Sequence, residues 1–111
     1  MKYWLTAILM LVAQPAFAHA MLEHASPAAG STVTAPKEIV LQYSESLEPS
    51  FSTVEVRGHD GVPVAAKVEV NDTVMRVTLK TLPPGRYTVT WHAVSVDTHR
   101  TQGRYSFTVK P

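Results

Sequence analysis

The side chains able to do chemistry in this chain of 111 residues reduce to five histidines and nine carboxylates, because it contains no cysteine. That absence removes thiolate metal sites, a cysteine nucleophile, disulfide staples and lipid attachment at an N-terminal cysteine. No glycine-rich phosphate loop, G-x-S-x-G elbow or H-E-x-x-H helix is present either. Metal binding is what remains for the histidines. His59 lies in the turn Gly58-His59-Asp60-Gly61 and reads as solvated, as does His24 near the end of the first expected strand. His92 alternates with Trp91 and Ala93 and fits either an open sheet face or a half-buried position. Whether His24 or His92 lends a ligand is left open by the sequence.

Two histidines stand apart. Asp97-Thr98-His99 places a carboxylate and an imidazole two residues apart. In an extended segment such residues share a side and can converge on one ion. A polar loop with a hydrogen-bonded pair has the same spacing. His19 gains a second donor if it is the first residue of the mature chain. An N-terminal histidine offers its α-amine and its ring Nδ1, which together close a six-membered chelate ring. An α-amine has an ordinary pKa of about 7.7–8.0, so Cu²⁺ displaces its proton near neutral pH. Three nitrogens and one carboxylate oxygen form the tetragonal N,O set expected for Cu(II). Zinc prefers a tetrahedron and lies below copper in the divalent series. The plainer reading of His19 is an ordinary frayed terminus.

The first eighteen residues decide that point. Met1-Lys2 is followed by an apolar stretch from Tyr3 to Val12 and by Ala16-Phe17-Ala18, an A-x-A cleavage site. This is the layout of a secretory signal peptide, and the stretch is roughly half the ~20 residues that span a bilayer. Residues 1–18 are therefore expected to be removed, leaving 19–111 as one domain that begins at His19. Loss of Lys2 leaves as many basic as acidic side chains, and no run of like charge marks a nucleic-acid footprint.

The elements that must position these residues read as strands. Apolar residues alternate in Ile39-Leu41-Tyr43, Val54-Val56, Val68-Val70, Met75-Val77-Leu79, Tyr87-Val89-Trp91-Ala93 and Tyr105-Phe107-Val109. Turn signals fall between them at Pro27 to Gly30, Glu48-Pro49-Ser50, Gly58 to Gly61, Asn71-Asp72 and Pro83-Pro84-Gly85. The pattern predicts an all-β chain, an immunoglobulin-like β-sandwich or Greek-key β-barrel of about seven strands, without the disulfide. Leu82-Pro83-Pro84-Gly85-Arg86-Tyr87 also has the form of a tyrosine corner, with simple packing of Tyr87 as the alternative.

Over essentially its whole mature length the sequence resembles the CopC family of periplasmic copper-binding proteins. The resemblance rests on His19-Ala20, Ser26-Pro27-Ala28-Ala29-Gly30-Ser31, Ile39 to Glu45, Leu82 to Trp91, and Ser95-Val96-Asp97-Thr98-His99-Arg100-Thr101-Gln102-Gly103. The last stretch is similar to the family's S-x-D-x-H-x-x-x-G signature. The resemblance implies a histidine brace. His19 would give amine and imidazole, His99 an imidazole and Asp97 a carboxylate to one Cu(II) per mature chain. Glu45 matches an acidic family position near the site, where it would support the ligands from behind or be a solvated glutamate. Some members hold Cu(I) in a Met- and His-rich segment, but only Met21 and Met75 remain here after the signal, so no such second site is expected. The implied protein is a monomeric, non-enzymatic copper carrier or buffer of the periplasm, serving an inner-membrane transporter of the CopD type. The alternative is a copper oxygenase, since polysaccharide monooxygenases use a similar brace on an immunoglobulin-like core.

Overall fold

The computed structural model describes residues 20–111; the expected signal peptide and His19 lie outside the described residues. Eight strands form: β1 (Leu22–Ser26), β2 (Thr32–Val33), β3 (Glu38–Tyr43), β4 (Thr53–Gly58), β5 (Ala65–Asn71), β6 (Val74–Leu79), β7 (Gly85–Val94) and β8 (Arg100–Val109). They make two four-stranded sheets, in the orders β1-β3-β6-β5 and β2-β8-β7-β4. The expected β-sandwich is what forms, with one strand more than the alternation suggested. The addition is β2, a two-residue strand that pairs in parallel with Thr108 and Val109 and is too short to alternate. Only β5–β6 and β7–β8 are consecutive neighbours within a sheet; every other connection carries the chain across the sandwich.

The apolar alternation is buried between the sheets. Ile39, Leu41 and Tyr43 of β3 and Met75, Val77 and Leu79 of β6 face Val54 and Val56 of β4, Tyr87, Val89, Trp91 and Ala93 of β7, and Phe107 and Val109 of β8. Successive strand side chains point to opposite faces, so the intervening residues form the two outer faces of the sandwich. β5 departs from the expectation, because Val68 is exposed on this edge strand while Val70 packs on the core.

Two aromatic arrangements pack β7, one against β8 and one against β3. Tyr87 Oη donates to the Pro83 carbonyl at 2.6 Å, which is the tyrosine corner, and the Tyr87 ring stacks on Phe107 at 5.7 Å. Trp91 meets Tyr43 edge to face across the sandwich, with centroids 5.2 Å apart. Directly opposite Trp91 in the ladder stands Gly103. A Cβ on that glycine would lie 2.5 Å from the indole, so the closing glycine of the S-x-D-x-H-x-x-x-G stretch is there for space.

Candidate metal centre

The loop joining β7 to β8 carries Asp97 and His99. Ser95 N–H donates to the His99 carbonyl at 2.9 Å, and Thr98 N–H donates to the Ser95 carbonyl at 2.8 Å. Thr98 has φ +75°. This is a three-residue hairpin loop, a tight turn followed by one left-handed residue, at the position where glycine is the usual occupant. A β-branched residue with positive φ is strained, and such strain persists where the surroundings over-determine it.

The turn corrects the reasoning from strand alternation. Asp97 and His99 do converge, but they do so because the chain reverses between them. Asp97 Oδ2 lies 3.1 Å from His99 Nδ1, with both side chains close to half exposed. Ser95, 1% exposed, donates its hydroxyl to the other carboxylate oxygen. The Ser95 bond and, after it, the contact with His99 hold the Asp97 carboxyl below the usual carboxylate range. The carboxylate is therefore ionised, and the backbone of His99 adds to the bonds that hold it so. Carboxylate and imidazole thus already engage each other at this turn, through Asp97 Oδ2 and His99 Nδ1.

The loop is tied to both sheets. Val96 N–H donates to the Ser46 carbonyl at 3.0 Å, and Leu47 pairs with Ser95 in an isolated bridge. Two residues beyond His99, the Thr101 hydroxyl donates to the carbonyl of Ala20 at 2.7 Å. Ala20 is fully buried, and the next residue exchanges bonds with Ser44: Met21 N–H to Ser44 Oγ and Ser44 N–H to the Met21 carbonyl, both 2.9 Å. The start of the described chain is thus sewn to β8 on one side and to the end of β3 on the other. Glu45 follows Ser44, exposed, at this same end of the sandwich.

The other candidates are elsewhere. His24, in β1, and His59, in its turn, are exposed. His92 is exposed on the outer face of β7, opposite Gln102. Among the described residues no group of three or more His, Cys, Asp or Glu side chains is arranged to hold a metal. Neither Glu45, His24 nor His92 completes a set with Asp97 and His99. Met75 is buried in the core and Met21 is half exposed. Ser95 and Thr101, which position the carboxylate and the chain before β1, were not singled out from the sequence. A hydroxyl two residues before the D-x-H triplet is the only local signal for the first, and the second bonds a residue 81 positions away.

Comparison with known proteins gives the same picture at the level of family. The family described as the CopC domain matches residues 22–110. Protein YobA of Escherichia coli strain K12 is 42% identical over 106 residues, which are 90% of this chain and 86% of that protein. Copper resistance protein C of Escherichia coli is 40% identical over 114 residues, covering 93% of this chain and 90% of the relative. The crystal structure of PcoC, a methionine-rich copper resistance protein from Escherichia coli, superposes with a TM-score of 0.77 at 42% identity, over 84% of this chain and all of that one. This chain belongs to the CopC family.

Proposed function

We propose that the chain is an exported copper-binding protein, a periplasmic carrier or buffer for Cu(II) in copper homeostasis or resistance, and not an enzyme. The observation that carries this reading is the Asp97–His99 pair, held ready by Ser95, at the end of the sandwich where Thr101 holds Ala20. The Ala20 carbonyl is bound by Thr101, two residues from His99, and Ala20 is the residue that follows His19 in the sequence. Signal cleavage after Ala18 would free the His19 amine. His19 amine and imidazole, the His99 imidazole and an Asp97 oxygen would then supply three nitrogens and one anionic oxygen for a single Cu(II), the Asp97–His99 contact giving way to the ion. Copper is the cargo. The carboxylate occupies a position that an oxygenase would keep open for oxygen, and its charge favours Cu(II) over Cu(I). Glu45 lies at the right end of the molecule to steer the cation. Binding displaces protons from the amine and imidazoles, so acidification weakens the site. The protein acts as a monomer that passes its ion to an inner-membrane transporter of the CopD type.

The test is the mature N-terminus. Intact mass should show a chain starting at His19, and a competitive Cu(II) titration should show one tight equivalent. A form retaining Ala18 converts the amine to an amide and should lose tight binding, as should His99→Ala. Equal Cu(II) affinity with and without Ala18 would overturn the brace.

A further inference from the structure

The two outer faces of the sandwich carry charge differently. On the β1-β3-β6-β5 sheet the strand cations are paired: Lys67 with Glu69 at 2.6 Å and Arg76 with Glu38 at 3.4 Å. On the β2-β8-β7-β4 sheet, Arg57 lies 3.6 Å from Glu55, the one carboxylate in the strands of that sheet's outer face among the described residues. Arg86, Arg100 and Arg104 are exposed, and none of them forms an ion pair among the described residues. The ladder aligns them on one side. Arg86 pairs with Thr108, Thr88 with Ser106, Thr90 with Arg104 and His92 with Gln102, and Arg100 follows opposite Val94. Arg86 and Arg104 flank a shallow groove of about 550 Å³ with the Thr88 and Ser106 hydroxyls between them. At the other end Phe51, 62% exposed, and Arg100 line a second groove with His92. The stripe from Arg86 to the Arg100 row covers eight residue steps, roughly 26 Å at ~3.3 Å per step.

We propose that this outer face docks on anionic phospholipid headgroups, with Arg86, Arg104 and Arg100 on the phosphates and Phe51 at the interface. Guanidinium groups match phosphate oxygens through a fork of donors, and of the two hydroxyls between them, which lie 3.4 Å apart and share one hydrogen bond, the other proton is a neutral donor that adds no opposing charge. A protein partner would call for a patch with an apolar, aromatic centre. This face instead offers cations and hydroxyls over a broad sheet, with its exposed aromatic at one margin, which suits a flat charged surface whose interior accepts one ring. The chain outside residues 1–18 has equal numbers of basic and acidic side chains, so attraction depends on this segregation and not on net charge. The inference does not depend on copper, and it would place the β7–β8 loop at the rim of a membrane-bound molecule.

The test uses the processed protein, without metal, and unilamellar vesicles of phosphatidylcholine alone or mixed with phosphatidylglycerol. At low ionic strength the protein should sediment with the mixed vesicles and stay in solution with the neutral ones, and ~0.5 M salt should release it. Each basic side chain near an anionic surface contributes about 1 kcal/mol, close to a fivefold factor. Arg86→Ser with Arg104→Ser should therefore lower the partition coefficient about twenty-five-fold. Lys67→Ser with Lys80→Ser, which removes the same charge elsewhere, should change it less than about threefold. Circular dichroism confirms that each variant is folded. Equal partition of the unaltered protein to neutral and anionic vesicles would overturn the proposal, and so would equal losses in the two double variants. Binding to protein-containing membranes but not to pure lipid would overturn it in favour of a protein partner.

Discussion

Gly103→Ala adds a single methyl group to β8 directly opposite Trp91. The new Cβ would stand 2.5, 2.7 and 2.9 Å from Cζ2, Cε2 and Nε1 of Trp91. Carbon atoms settle at about 3.5–4.0 Å, so the indole and the strand must separate by roughly 1 Å. Neither yields easily. Trp91 is 7% exposed and its ring meets Tyr43, itself fully enclosed, while β8 is bound to β7 over ten paired positions. Overpacking of this kind costs about 1–3 kcal/mol. For a domain of this size each kcal/mol lowers Tm by about 4–8 °C, so a fall on the order of 10 °C is expected. Urea unfolding followed by far-ultraviolet circular dichroism, which does not depend on Trp91, gives the free energy. Trp91→Phe supplies the control, because the smaller ring leaves room for the methyl group. Trp91→Phe with Gly103→Ala should then be no less stable than Trp91→Phe alone, a favourable coupling of about 1–3 kcal/mol in the double-mutant cycle. If Gly103→Ala costs less than about 0.5 kcal/mol, or the cycle shows no coupling, the glycine is not there to admit the indole.

Three further outcomes follow from the same geometry. Ser95→Ala removes the main donor to the Asp97 carboxylate, so that group's pKa should rise toward the ordinary carboxylate value, and on the proposed function Cu(II) affinity should fall about 10–100-fold; a carboxylate titration by NMR and a chelator competition read the two, and unchanged affinity would remove Asp97 from the site. Tyr87→Phe deletes the 2.6 Å bond to Pro83 and should cost about 0.5–1.5 kcal/mol in urea unfolding, since water can reach the freed carbonyl. Burial pushes the Tyr105 phenol up to about 12 and the Tyr43 phenol higher still. An unfolded tyrosine ionises near pH 10, so the unfolded chain loses these protons first. Stability is then fully present below about pH 10 and lost above it, by about 3 kcal/mol per pH unit for the two groups together. Tyrosinate absorbance rising with a midpoint near 10 for both groups in the folded protein would contradict this.

Six runs of apolar alternation were enough to read the sandwich, because a residue that faces the core on every second position leaves a period that needs no knowledge of partners. β2 was not legible, since two residues have no period and this strand exists only through its bonds to Thr108 and Val109. The tyrosine corner was legible because Pro83-Pro84-Gly85 forces the turn that brings Tyr87 back over Pro83. At the candidate site the residue types were readable and the geometry was not. Asp97 and His99 meet across a turn whose left-handed residue is a threonine, and nothing in the side chain of Thr98 announces positive φ. Thr101 and Ala20 are 81 residues apart, a distance at which no local pattern carries information.

That long-range bond bears on how a weakly enclosed site can be specific. The β7–β8 loop is a short hairpin turn, closed by its own backbone bonds and tied to Ser46, and the chain before β1 is tied to Thr101 and Ser44. Asp97 and His99 therefore hang from the rigid ends of β7 and β8, which is what precise ligand placement requires. Their side chains stay close to half exposed. Rigid anchors with exposed ligands favour tight binding with an open edge, where an incoming partner can add its own donor before the last one leaves. A buried site of equal affinity would need the sandwich to open before it could release its ion, and β7 and β8, paired over ten positions, oppose any such opening.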